Sequence, residues 1–446
     1  METFLGRAKG CTLDILAPYN RNFVSTWGLL SSHTKDIESL QLKCNKWADV
    51  EEIAQIASQP LPLLHSLTIT GRSRHTEVFR TKTPPSPRLF NNAENLKEFW
   101  FHSGKQLPYL SHFAFPKLVS FYFSAASDQP FCITELLEFL KASPMLEKLH
   151  IEIPGSTWFN PLPPQGSGSE VVALPNVKKF TLVLRAGTVN QFGYQLAGHL
   201  SCPSATRTEL VHRREYGIDP GDIFPEQVSW NAIVSPRYTK KPIEKVALQI
   251  TPSGPMKCEL GFWSPDGAVV KVCFEEDDIV DDDDQIKPSD TIHKSLFENA
   301  TRSLQLHPQL KSIKRLDICH SLPPDVSVEG QFPSIPSDIW KLFKFLGPLD
   351  ELTIFDCDPA PYFFGYGLDE PRRFPRTKTL RISNPINFNQ DTYRAILDLV
   401  ILQHKLHTPF REVFIRGMGI VEDVKRWPID PSLSLPDVTN FYFYDG

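Results

Sequence analysis

The chain has no run of the roughly 20 apolar residues that a bilayer-spanning helix needs. Its most apolar helical stretch, Ala395–Leu402, leads straight into Gln403, His404 and Lys405. A basic excess is also missing. Lys and Arg number 47 against 52 Asp and Glu, a net charge of -5, which argues against a general nucleic-acid binder. The eight cysteines include no CxxC pair, and the start, Met1-Glu-Thr-Phe-Leu-Gly-Arg7, lacks a basic segment followed by an apolar one. Free thiols and a reducing compartment are expected, cytoplasmic or nuclear, with no membrane and no nucleic-acid partner.

Catalytic signatures are absent too. There is no Walker A loop, HExxH, GxSxG or dinucleotide-binding fingerprint. Gly166-Ser-Gly168 is isolated and reads as loop. His33, His150, His320 and His404 have no ligand partners at metal spacing. The expectation is therefore no catalytic residue, no metal and no cofactor, hence not an enzyme. A hydrolase assembled from distant residues stays open, because spacing alone cannot exclude one.

What the chain does have is proline, 39 residues of it, and a recurring hexad. The hexad is apolar, two variable, apolar, one variable, apolar. It occurs as Ile37-Glu-Ser-Leu40-Gln-Leu42, Leu64-His-Ser-Leu67-Thr-Ile69, Leu96-Lys-Glu-Phe99-Trp-Phe101 and Leu118-Val-Ser-Phe121-Tyr-Phe123. Leu146–Ile151, Val177–Leu182, Ile243–Leu248, Ile313–Ile318, Leu349–Ile354, Thr377–Ile382, Phe410–Ile415 and Val438–Phe443 continue it, with a weaker copy near Ala205–Leu210. Neighbouring copies mostly start 22 to 38 residues apart, the signature of a leucine-rich repeat. The last two apolar positions alternate with exposed ones on a strand. One strand cannot bury that face alone, whereas parallel stacking makes a continuous apolar wall. The expected fold class is α/β: a curved parallel sheet with helices and irregular returns on its convex side, one solenoid over 1–446.

Helices are expected at Val50–Ser58, behind the capping box Asp49-Val-Glu-Glu52, and at Ile133–Ala142, Asp338–Leu346 and Gln390–Lys405. Pro60, Pro144 and Pro348 read as stops before the next strand. Pro154–Ser169 reads as a surface loop, and an insertion spans 251–288. In it, Ser264-Pro-Asp-Gly267 turns a β-hairpin over 257–274, and Glu275–Asp284, eight acidic residues in ten, reads as a solvated loop or a contact for a basic partner. Cys258 and Cys273 lie near opposite ends of the hairpin, where a bulge at Gly267 would carry them out of register for a disulfide.

The phrases Leu96–Ser103, Phe115-Pro-Lys-Leu118-Val-Ser-Phe-Tyr-Phe123 and Phe139-Leu-Lys-Ala-Ser-Pro-Met-Leu146-Glu-Lys-Leu149 resemble the repeat region of the large fungal F-box proteins, especially those of mushroom-forming fungi. Cys11–Ile15, Leu29–His33 and Ile37–Leu40 carry the same resemblance. It covers nearly the whole chain through diffuse repeat phrases. It implies a protein that recognises a ubiquitylation substrate while an N-terminal F-box docks a Skp1-like adaptor. Met1–Gly10 is too short for that module, so the adaptor is expected only if an F-box lies upstream. A stand-alone intracellular scaffold or sensor is the alternative.

Either way the binding surface is expected on the concave strand face, at the variable hexad positions. The candidates for contact with a protein ligand are Glu98, Trp100, His102, Tyr122, Lys148 and His150 on neighbouring strands. Phe355 and Phe414, near Tyr442 and Tyr444, form a second patch. Exposed aromatics of this kind are enriched among interface hot spots.

Overall fold

A computed structural model describes residues 12–18, 31–44, 58–71, 89–90, 92–102, 110, 113–125, 133–153, 171–185, 196–197, 199–214, 243–251, 257–264, 267, 269–276, 313–320, 346–355, 376–385, 388–417, 420, 422, 425 and 439–444. The loop at Pro154–Ser169, residues 277–284 of the acidic run, and the helices expected at Val50–Ser58 and Asp338–Leu346, save Ser58 and Leu346, lie outside them. The chain is α/β and divides into two compact units, Met1–Leu210 with Pro225–Tyr238, and Val211–Phe224 with Thr239–Gly446.

The first unit holds β1 (Leu13–Pro18), β2 (Ile37–Cys44), β3 (Ser66–Gly71), β4 (Glu98–His102), β5 (Ser120–Ser124), β6 (Lys148–Ile153), the short β7 (Val172–Ala173), β8 (Lys179–Arg185), the short β9 (Leu200–Ser201) and β10 (Arg207–Arg214), within which the unit ends. Strands β1 to β6 and then β8 lie side by side in chain order, every pairing parallel. The register lines up equivalent hexad positions. Leu40, Leu67, Phe99, Phe121, Leu149 and Phe180 form one row across the strands, and Leu42, Ile69, Phe101, Phe123, Ile151 and Leu182 form the next. All twelve are buried. The leading hexad residues Leu64, Leu96, Leu118, Leu146 and Val177 are buried beneath them.

The same backbone bonds recur at the start of each strand. The carbonyl of His65 accepts from the N–H groups of both Lys97 and Glu98; that of Lys97 accepts from Val119 and Ser120; that of Val119 from Glu147 and Lys148; that of Glu147 from Lys178 and Lys179. A β-turn precedes each of β3, β4, β5, β6, β8 and β10, closed by bonds from Leu64 to Leu61, Leu96 to Ala93, Leu118 to Phe115, Leu146 to Ser143, Val177 to Leu174 and Ala205 to Cys202. In five of these six turns the second residue is proline: Pro62, Pro116, Pro144, Pro175 and Pro203. Proline pre-sets the φ that this turn position requires. These five prolines therefore launch strands. Pro144 does not itself end the helix before it: α1 (Ile133–Lys141) closes at Lys141, and Ala142 and Ser143 satisfy its last carbonyls. Asn95 and Asn176 brace successive turns by donating to the carbonyls of Pro62 and Pro144 at 2.7 and 3.0 Å.

Phenylalanine fills the interior behind β4 and β5. The Phe99 ring lies 5.1 to 5.9 Å from the rings of Phe101, Phe113, Phe115, Phe121 and Phe139. Phe139 comes from α1, which buries Ile133, Leu136, Phe139 and Leu140 against this wall.

The second unit holds β11 (Lys245–Thr251), β12 (Lys257–Trp263), β13 (Val269–Glu276), β14 (Arg315–His320), β15 (Leu349–Phe355), β16 (Thr377–Ser383), β17 (Glu412–Arg416) and β18 (Asn440–Tyr444). Its order is β13-β12-β11-β14-β15-β16-β17-β18. The pairings from β11 through β14 to β18 are parallel, while β11–β12 and β12–β13 are antiparallel. The hairpin is thus built into the sheet, and β13 takes in Glu275 and Glu276 from the acidic run. Its register runs without a break from Trp263–Val269 to Lys257–Glu275, with Gly267 (φ 81°) in the connecting loop. No bulge interrupts the pairing. Cys258 is in register with Phe274 and Cys273 with Glu259, and the buried Cys273 thiol donates to the Glu259 carboxylate at 3.6 Å. Gly261 leaves room for the Trp263 ring, which lies where a Cβ would sit. Helix α2 (Gln390–Lys405) starts at Asn389, whose side chain accepts from the N–H of Thr392 at 2.9 Å. Among the described residues no helix is long and apolar enough to cross a membrane.

Removing the Phe99 ring empties the centre of the aromatic wall. Phe99→Ala is expected to cost about 3–5 kcal/mol, read as a drop in the guanidinium unfolding midpoint. Glu98→Ala, next to it but exposed, should stay within about 0.5 kcal/mol.

Candidate functional site

The fifth hexad position points away from the buried rows, because side chains alternate along a strand. In the first unit the register sets Thr68, Trp100, Tyr122, His150 and Thr181 in one row. Three of these form a stack. The Trp100 and Tyr122 rings lie 4.5 Å apart with 20° between planes, and Tyr122 and His150 lie 4.2 Å apart at 11°. Trp100 is 41% exposed, while Tyr122 and His150 are half-buried.

A second row holds His102, Ser124, Glu152 and Val183. The His102 ring leans on Tyr122 at 5.1 Å. Glu152 is buried, and the Tyr122 hydroxyl donates to it at 2.9 Å. This bond ties the centre of the stack to β6, the strand that carries His150. Burial pushes the His102 imidazole below its usual 6.5, against the opposing pull of the Glu152 carboxylate. The third row runs Ser66, Glu98, Ser120, Lys148 and Lys179, with Glu98, Lys148 and Lys179 exposed. Glu98, Trp100, His102, Tyr122, Lys148 and His150 thus lie on three consecutive strands of one face.

Phe355 and Phe414 are not brought together in this way. Phe414 stacks on Tyr442 at 4.7 Å and 12°, and the Arg381 guanidinium sits over its other side at 4.2 Å. Phe355 shares its row with Ser383, Arg416 and Tyr444 instead, with all of β16 between it and β17. Arg381 is held in turn by Glu351 through an Nε–Oε1 bond of 3.0 Å.

Sequence reasoning missed the polar groove of this second unit. A cavity of about 650 Å³ follows the starts of its strands, lined by Glu244, Arg315, Asp350, Glu351, Lys378, Thr379, Arg411, Glu412 and Asn440. The signal was present in the third hexad position, where Lys245, Arg315, Glu351, Thr379, Glu412 and Asn440 stand in register. Most of these charges meet a partner inside the protein. Lys378 holds the Asp350 carboxyl below the usual carboxylate range through a hydrogen bond, and Lys245 pairs with Asp317.

Among the described residues no group of three or more His, Cys, Asp or Glu is arranged to hold a metal ion. Burial pushes the Cys202 thiol up to about 12, far from the thiolate a nucleophile needs. On α1, burial and then Glu138 push the Glu135 carboxyl up to about 7 from its usual 4.5. No protein-family model matches the chain, and no curated protein matches it.

The two shifted groups set opposite pH dependences. His102 is held below its ordinary value, so as pH falls through 6.5 the unfolded chain takes the proton first and stability is lost. Glu135 is held above its ordinary value, so as pH rises from 4.5 through about 7 the unfolded chain loses the proton first and stability again falls. Glu135→Gln should therefore raise the unfolding midpoint at about pH 8, and His102→Gln should flatten the loss between about pH 7 and pH 5. Urea titrations from about pH 5 to about pH 8 check both signs.

Proposed function

We propose that the chain is an irregular leucine-rich-repeat solenoid that binds a protein ligand through the exposed face of its strands. In such a solenoid the strand face is the concave one. The observation that carries this reading is the Trp100–Tyr122–His150 stack, with an indole 41% exposed and charged side chains beside it. Aromatic side chains offer large rigid contact area and dominate interface energetics. The parallel strands in chain order and the two buried rows support the repeat architecture.

The ligand is a substrate for ubiquitylation in the cytoplasm or nucleus, and the chain is the recognition part of an F-box-type adaptor that does no chemistry itself. Support for this comes from the phrases around Leu96, Leu118 and Leu146 that resemble fungal F-box proteins. A Skp1-like adaptor would then bind an F-box preceding the repeats. The polar strand faces and the net charge of -5 favour a protein partner over a nucleic acid or a membrane.

Two measurements separate these layers. The product of the full native transcript, tagged and purified from its host, should carry a Skp1-like adaptor; a product without one removes the ligase role and leaves a stand-alone scaffold. The Trp100→Ala/Tyr122→Ala variant should keep the adaptor but lose the second partner by at least about tenfold. A partner held equally by both forms would place binding elsewhere.

A further inference from the structure

Trp100 has two ring faces, and among the described residues one of them carries a stacked ring. Tyr122 stacks on the β5 side. On the other side the residue in register is Thr68, too short to cover an indole, and among the described residues no second ring stacks on Trp100. Glu98 stands on the same face of β4, two residues back and exposed, so its side chain leaves the strand about 7 Å from that of Trp100.

The row that starts at Glu98 changes sign as it crosses the strands. Glu98 on β4 is followed by Ser120 on β5, then by Lys148 on β6 and Lys179 on β8. The two lysines are direct neighbours, both exposed, and among the described residues neither has an ion pair. Like charges on side chains that leave neighbouring strands about 5 Å apart repel, and an anion placed between them relieves that.

We propose that this face takes an extended peptide segment of a partner protein, lying across β4 to β8, with an arginine stacked on the open face of Trp100 and forked onto Glu98, and a carboxylate of the same segment between Lys148 and Lys179. The proposal rests on reading this face as a protein-binding surface. Arginine suits the first position because its guanidinium is planar, stacks on indole and pairs a carboxylate with two parallel bonds. Across the strands, the open side of Trp100 and the gap between the lysines lie three spacings apart, about 14 Å at about 4.8 Å each, and a guanidinium reaching from Trp100 toward Glu98 takes up much of the roughly 7 Å offset along the strand between their rows. Four residues of extended chain cover about 13 Å, and positions i and i+4 share a face. The fitting pattern is therefore an arginine and an acid four residues apart. A nucleic-acid strand in the same place would set phosphates against Glu98.

The probes are two acetylated, amidated pentapeptides, Arg-Ser-Thr-Ser-Glu and Gln-Ser-Thr-Ser-Gln, titrated into the full chain labelled with 15N. The Trp100 indole signal is identified by its loss in Trp100→Phe. The charged peptide should shift that signal saturably and bind at least about tenfold more tightly than its neutral twin. Glu98→Gln and the Lys148→Gln/Lys179→Gln pair should each cut the preference several-fold, with unfolding midpoints unchanged. Equal affinity for both peptides, or charge variants that bind as the wild type does, overturns the proposal. If neither peptide moves the indole signal while the co-purified partner still depends on Trp100 and Tyr122, the arginine–acid pairing fails alone and the binding face stands. If that dependence is absent too, both fall.

Discussion

Everything else in the first unit depends on two rows of apolar side chains that run across the strands. A single strand from this sequence has one apolar face of two or three residues and nothing of its own to bury it against. Stacking six strands in parallel at the same register joins Leu40 through Phe180 and Leu42 through Leu182 into continuous rows. A slip of one residue would turn those rows outward. The register is therefore fixed by burial, and it is secured at the starts of β4, β5, β6 and β8 by a carbonyl that accepts two successive N–H groups.

That constraint also creates the functional face. Once Phe99 and Phe101 are locked inward, Glu98, Trp100 and His102 have no choice but to point the other way. The same holds for Tyr122 and for Lys148 and His150, and equal register then brings Trp100, Tyr122 and His150 into ring contact. The stack needs no dedicated scaffold; it follows from putting flat side chains at one hexad position on three successive strands. In the second unit the same geometry lines up charges instead, and Arg381 bridges Glu351 and the Phe414 ring.

The hexads were legible because apolar alternation survives every change of residue type, from leucine to phenylalanine. The aromatic stack was legible because its members share a hexad position. Grouping Phe355 with Phe414 ignored that rule. Phe355 follows the last apolar residue of its hexad, whereas Phe414 lies between the two strand apolars, so they belong to different rows. The turns with proline in second place went unread, although Leu61-Pro-Leu-Leu64, Phe115-Pro-Lys-Leu118 and Leu174-Pro-Asn-Val177 repeat in plain sight. A proline ahead of a strand looks the same whether it ends a helix or begins a turn. The pairing of the hairpin with β11 was beyond the sequence, since nothing local says which neighbour an antiparallel strand will choose.

Trp100, Tyr122 and His150 form one stack on a parallel ladder. Nuclear Overhauser contacts in protein with selectively labelled aromatic rings test it most directly. Cross-peaks are expected between Trp100 and Tyr122 and between Tyr122 and His150, whose ring centroids lie 4.5 and 4.2 Å apart. Contacts from Trp100 to another strand, or none between these rings, would contradict it.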